Sequence, residues 1–260
     1  MLRGLYTSAS GMLAEQVRVD VIANNLANVQ TAGFKRETVL QSAFPDMLLR
    51  RINDLAGTVQ GAGGGASDPR PVIGRLGTGT YIDGTYADWS PGPLRYTGNP
   101  LDLALEGEGF FTVETAAGLR YTRNGRFTLD GDGWLVTMEG HRVVGEAGPI
   151  QILGSEVHVT DQGEVWVDGA PVAVLALRGF ADPQGLLREG GSLWAATELS
   201  GEPTPAGPRV HAGHVEDANV NVVGTMVELI SAYRSYEANQ RVIQVYDQTL
   251  SKAVNDLGRA

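Results

Sequence analysis

The sequence predicts an α+β chain: an amphipathic helix at each end, the two pairing as a coiled coil, and a central antiparallel β-rich domain. Two observations carry the helices. Leu5, Ala9, Met12, Gln16, Val19, Ala23 and Leu26 step by four and three alternately, the spacing of a heptad seam. Val222, Met226, Leu229, Tyr233, Tyr236, Gln240, Ile243, Asp247, Leu250, Val254 and Leu257 repeat that alternation near the other end. A third observation carries the β domain: between the ends the pattern changes to short β-branched and aromatic runs separated by turn residues.

Taken in order, the first helix is expected over residues 3–28, weakened locally by Gly4 and Gly11, with Gly33 a plausible stop signal. Residues 37–78 read as a connector, and the stretch from Gly57 to Ser67, with Gly61, Gly63, Gly64 and Gly65, reads as loop. Residues 79–215 read as the β-rich domain. Its candidate strands include Phe110–Val113, Arg126–Leu129, Trp134–Thr137, Val157–Thr160 and Val172–Leu177. Asp130-Gly131-Asp132-Gly133 separates two of these runs as a hairpin turn. The last helix is expected over 222–257 with Asn221 as N-cap, roughly 54 Å long at 1.5 Å per residue. The terminal helical domain is thus 1–36 together with 222–260. The second helix outruns the first, and its surplus apolar surface should seek neighbouring chains.

Composition bounds the function. The 260 residues carry a formal net charge of -10, which repels nucleic-acid phosphates. There are no cysteines, so neither a disulfide framework nor a thiolate metal site is possible. The first residues lack the apolar run and small-residue cleavage site of a secretory signal. No stretch approaches the ~18 apolar residues of a membrane span. Export, if it occurs, must leave the N-terminus uncleaved.

Chemistry-bearing residues read as structural. Asp130-Gly131-Asp132-Gly133 lacks the remaining ligands of a calcium loop. His211 and His214 lack further metal ligands nearby in sequence. Gly61–Gly65 lacks the Gly-Lys-Ser/Thr ending of a phosphate loop. Glu106 and Glu108 flank Gly107 as a solvated turn rather than a catalytic carboxylate pair. Ser8 and Ser10 lie on a helix, not on a nucleophile elbow. Tyr233 and Tyr236 read as packing residues. Gln240 and Asp247 either specify register from the seam or lie where the seam rotates away. No catalytic residue, cofactor or metal is expected.

Leu5-Tyr6-Thr7-Ser8-Ala9-Ser10-Gly11-Met12, then Asp20 through Arg36 with Asn24-Asn25-Leu26-Ala27-Asn28 and Thr31-Ala32-Gly33-Phe34, closely resembles the N-terminal motif of the flagellar rod and hook proteins. Gly98–Leu105, Gly107–Phe111 and Tyr121-Thr122-Arg123-Asn124-Gly125 look like the central signature. Asn219–Val223, Met226 and Tyr233–Asn239 look like the C-terminal one. Length and connector look like the distal-rod members; residues 140–150 look more like the proximal-rod members.

The resemblance implies a non-enzymatic axial subunit of the bacterial flagellar basal body. Its terminal helices would form the inner layer of a hollow helical tube, with the β domain outside, transmitting torque from motor to hook. It implies partners: further copies of the chain, other rod and hook proteins, and the flagellar type III export apparatus, with neither nucleic acid nor membrane insertion. It implies a location in the cell-envelope rod, reached without signal cleavage. The expected assembly interface is Leu5, Met12, Val19, Asn24, Asn25, Leu26, Asn28, Met226, Leu229, Tyr233, Tyr236, Gln240, Ile243 and Leu250. The Asn24, Asn25 and Asn28 amides would bond neighbouring chains, where an unpaired buried amide costs ~1–3 kcal/mol. The rivals are a secreted β-rich binding module dimerising through its helices, and a hydrolase using carboxylates on the β domain.

Overall fold

The computed structural model describes residues 2–50, 72–154 and 156–257. Helix α1 spans Leu2–Ala27 and helix α2 spans Val222–Leu257. Among the described residues between them there are only strands, turns and loops, apart from one 3₁₀ turn at Pro183–Gly185. The chain is therefore α+β with a central β-rich domain. Of the described helices, none is long and apolar enough to cross a membrane. The expected loop from Gly57 to Ser67 lies outside the described residues.

Two compact units divide the chain. The first draws on Met1–Val21, Val39–Thr85 and Val227–Ala260, the second on Ile22–Thr38 and Tyr86–Met226.

The second unit holds the β domain. The main path of its largest sheet runs Leu187–Gly190, Leu193–Ala195, Gly118–Thr122, Phe110–Thr115, Arg142–Gly145, Leu135–Thr137, Phe127–Leu129, with antiparallel neighbours throughout. Phe110–Thr115 is its hub. It pairs Phe111 with Thr122 on one side and with Leu177 on the other. Side chains alternate across a strand, so this hub feeds two apolar clusters. Phe111 and Val113 join Leu103, Val143, Ile150, Val165 and Val210. Phe110 joins Tyr121, Leu186 and Trp194, with Trp89 edge-on to its ring at 5.1 Å. Asp130–Gly133 turns the chain between Phe127–Leu129 and Leu135–Thr137, closed by the Gly133 amide donating to the Asp130 carbonyl at 2.9 Å. The hairpin expected there is present.

In the first unit, Met47–Arg50 pairs with Val72–Leu76, matching Met47 to Leu76. Glu37–Ala43, whose last five residues lie in this unit, pairs with Thr80–Ala87. No strand is expected from the sequence within 37–78. Met47-Leu48-Leu49 lacks the polar alternation that announces one, and all three are exposed.

The helices follow the expected bounds closely, but the covered column differs. Along α2 the less exposed residues are Thr225, Leu229, Ala232, Ser235, Tyr236, Asn239, Ile243, Tyr246, Leu250 and Ala253. The column Leu229, Tyr236, Ile243, Leu250 is as expected. The column Met226, Tyr233, Gln240, Asp247, Val254 is exposed, and the residue preceding each faces inward instead. On α1 Leu5, Ala9, Met12, Val19 and Leu26 are covered as expected, while Gln16 and Ala23 are exposed and the preceding Glu15 and Ile22 are covered instead.

The reason is steric. A Cβ on Gly4 would collide with the Tyr246 ring, and one on Gly11 would sit 3.2 Å from the Asn239 amide. These two contacts lie one heptad apart on each helix and run in opposite directions, so the helices are antiparallel where they meet. Ala232, also on this inward column, is fully buried. Small Ala232, and Tyr246 and Asn239 facing Gly4 and Gly11, permit close approach there.

Candidate assembly interface and its anchoring knot

The end of α1 and the start of α2 are built into one polar knot within the second unit. Asn25 is 3% exposed. Its amide donates to the Glu37 carbonyl at 2.7 Å and its side-chain oxygen accepts from the Glu37 amide at 3.0 Å. The side chain behaves as a short piece of strand, binding the helix to a segment 12 residues on. The Asn28 amide donates to the Asn24 carbonyl at 2.9 Å, closing the helix end. Intermolecular bonds were expected of these amides; those of Asn25 and Asn28 are taken up inside the chain, because the turn after α1 needs them. Asn24 stays exposed, and with Asn28, Glu139 and Arg188 it lines an open polar groove.

Beyond the turn, Gly33 adopts φ +66° and donates its amide to the Glu216 carbonyl at 2.7 Å. A Cβ there would fall inside the Arg123–Asn124 backbone. Only glycine meets both demands. Phe34 is buried beneath the Arg188 guanidinium, which lies 4.6 Å from its ring centroid. Arg188 reaches Glu37 at 2.9 Å.

Three charges occupy the centre. Lys35 Nζ donates to Glu216 Oε1 at 2.6 Å and to the Ser90 carbonyl at 2.9 Å. The other Glu216 oxygen lies 3.5 Å from Arg123 Nη1, and Arg123 also donates to the Gly107 carbonyl at 2.6 Å. The Gly92 amide donates to Glu216 at 2.9 Å. The side chains of Lys35, Glu216 and Arg123 are 1%, 2% and 7% exposed. Burial pushes the Lys35 ammonium below its usual range, opposed by Glu216. A buried charge survives only with partners of this kind.

Around this centre, Asn219 accepts from the Arg36 amide at 2.8 Å and donates to the Asp88 carbonyl at 2.8 Å. The Asp88 carboxyl is held below its ordinary range by hydrogen bonds from Ser90, then by Arg36. Asn221 caps α2 as expected, accepting from the Gly224 amide at 3.1 Å. Asn219 and Asn221 are legible as a motif; their separate tasks, one a staple and one a cap, are not.

Among the other candidates, His211 is paired with Glu106 at 2.7 Å. No group of three or more metal-ligating side chains occurs among the described residues.

Lys35, Arg123, Asn219 and Asn221 of this knot lie in the three stretches that carry the resemblance, and comparison with known proteins agrees. Residues 5–35 match the family described as flagella basal body rod protein, residues 104–167 the flagellar hook protein FlgE/F/G D1 domain, and residues 211–257 the flagellar basal body rod FlgEFG protein C-terminal domain. The flagellar hook-basal body complex protein FlhO of Bacillus subtilis is 33% identical, with all of both chains covered. The flagellar basal-body rod protein FlgG of Borreliella burgdorferi is 34% identical over 98% of each chain. FlgG of Bacillus subtilis is 33% identical over 98% of this chain and 99% of its own.

The chain belongs to the flagellar basal-body rod protein family.

That family is structural. Each matched segment supplies one charge of the knot: Lys35 from the first, Arg123 from the second, Glu216 from the third. Lys35 and Arg123 lay inside motifs quoted from the sequence, but Glu216 did not. Its only sequence signal is a carboxylate just ahead of the Asn219–Val223 motif.

The remaining interface candidates fall into two sets. Leu5, Met12, Val19, Leu26, Leu229, Tyr236, Ile243 and Leu250 are partly or fully covered within the chain. Met226, Tyr233 and Gln240 are exposed, beside the exposed Val223, Val227 and Ile230. On α1, Tyr6, Leu13 and Val17 are exposed as well.

Proposed function

We propose that this chain is an axial subunit of the bacterial flagellar rod, assembling helically with its own copies and with other rod and hook proteins to carry torque toward the hook. The observation that carries this is the second apolar face of α2, where Val223, Met226, Val227, Ile230 and Tyr233 are all exposed. Single exposed apolar residues are ordinary; a contiguous run marks an interaction surface. The inward columns, with α1 and α2 antiparallel, serve as an intrachain coiled coil, while the outward run of α2 meets the neighbour. Met226, Tyr233, Gln240 and Asn24 are the interface residues of this reading. Full-length likeness to proteins named FlgG supports the distal-rod position, and export through the flagellar type III apparatus without signal cleavage accompanies it. The equal likeness to FlhO supports a second reading, a rod paralogue.

The test replaces Met226 and Tyr233 together by Asp. Wild type should grow open-endedly with concentration in sedimentation and form rods by electron microscopy, as head-to-tail contacts do. The variant should stay monomeric with unchanged circular dichroism. A wild type that stops at a closed dimer favours the binding-module rival and sinks the rod reading.

A further inference from the structure

Lys35, Arg123 and Glu216 lie far apart in sequence, on three segments: the chain leaving α1, the β domain, and the chain entering α2. We infer that these three side chains form one latch that makes the docking of the two terminal segments on the β domain mutually dependent.

The argument starts from charge. With all three present, Glu216 answers two cations and a backbone amide, and each cation also has a carbonyl acceptor. If the segment carrying Lys35 lifts away, Glu216 loses its close cation and keeps only the Gly92 amide and the longer contact to Arg123. If the segment carrying Glu216 lifts away, both Lys35 and Arg123 lose their counter-charge. Removing one partner of a buried ion set is far costlier than replacing the whole set by apolar groups. Neither segment therefore leaves alone at low cost. Two backbone amides reinforce this: Gly33 donating to the Glu216 carbonyl at 2.7 Å, and Arg36 donating to the Asn219 side-chain oxygen at 2.8 Å, cross directly from one terminal segment to the other.

The glycines exclude looser alternatives. Gly92 leaves no room for a Cβ against the Asp217 carbonyl, nor does Gly33 against Arg123. The segments seat in close backbone contact or not at all. The latch thus makes the last turn of α1 and the first turn of α2 a single opening unit in the free chain. It concerns the free chain alone, so a protein that never polymerises would leave it intact.

The experiment is amide hydrogen exchange on the full-length free chain, read away from each substituted residue. In Lys35→Met, the reporter is the Asp217 amide, bonded to the Pro93 carbonyl. In Glu216→Gln, it is the Asp88 amide, bonded to the Arg36 carbonyl. Each should exchange roughly a hundredfold faster or more than in wild type. The Leu135 and Ile150 amides in the β core should not change. The triple variant Lys35→Met, Arg123→Met, Glu216→Leu should return both reporters to within about tenfold of wild type, as apolar replacement of a whole ion set does. Loosening confined to the substituted segment would overturn the latch. If a single variant fails to fold, wild type in graded denaturant decides: the Gly33, Arg36, Asp88 and Asp217 amides should merge into one opening transition. Separate transitions for 33–36 and 217 would overturn it.

Discussion

The β domain and the terminal helices treat their apolar residues in opposite ways. In the β domain, Val113, Val143, Phe111 and Val210 are almost wholly buried and surrounded by other strands of the same chain. On the helices, Tyr6, Leu13, Val223, Val227, Ile230 and Val254 stay exposed. A sheet hub with both faces covered is complete in itself. A helix covered along one seam is complete only on that side. The contrast teaches that the outward apolar run of α2, unlike the β core, is left uncovered among the described residues.

The sharpest way to break that contrast is truncation on each side of it. Phe111→Ala, in the core at 1% exposure, should cost about 3–5 kcal/mol. Ile230→Ala, at 54% exposure, should cost the free chain under ~0.5 kcal/mol. Urea denaturation measures both. Equal costs would mean the α2 face already has a partner within the chain.

Glycine sharpens the comparison further. Gly33→Ala combines a left-handed backbone with a clash against backbone that cannot yield. It should cost about 3 kcal/mol, seen as a lower thermal midpoint. Gly11→Ala meets only the end of the Asn239 side chain, at 3.2 Å. Alanine favours a helix by up to ~1 kcal/mol over glycine, so local crowding should leave the change near neutral, with helical circular dichroism unchanged or slightly raised. A large loss at Gly11 would mean that the seam, like the knot, has no slack.

Much of this was legible in the sequence. The helix bounds, the Asn221 cap and the Asp130–Gly133 hairpin all rest on interactions between residues close in sequence, which local pattern records. The strands inside 37–78 were missed because Met47-Leu48-Leu49 and Val72-Ile73 lack alternation. The covered helix columns were misread by one position because hydrophobicity ranks Met226 and Tyr233 above Thr225 and Ala232, whereas close helix approach ranks by size. Asn25 and Asn28 read as intermolecular because the partners of their amides, the Glu37 backbone and the Asn24 carbonyl, are backbone groups that no side-chain pattern reveals.

By itself the sequence determined the α+β class, the two terminal helices and membership of the rod family, since each is written in periodicity or in contiguous motif. Only the tertiary structure decided what the motifs do together. Lys35, Arg123 and Glu216 become one buried charge set only when three distant segments are brought within hydrogen-bonding reach, because coulombic and hydrogen-bond energies depend on separation in space and on loss of water, neither of which sequence order records.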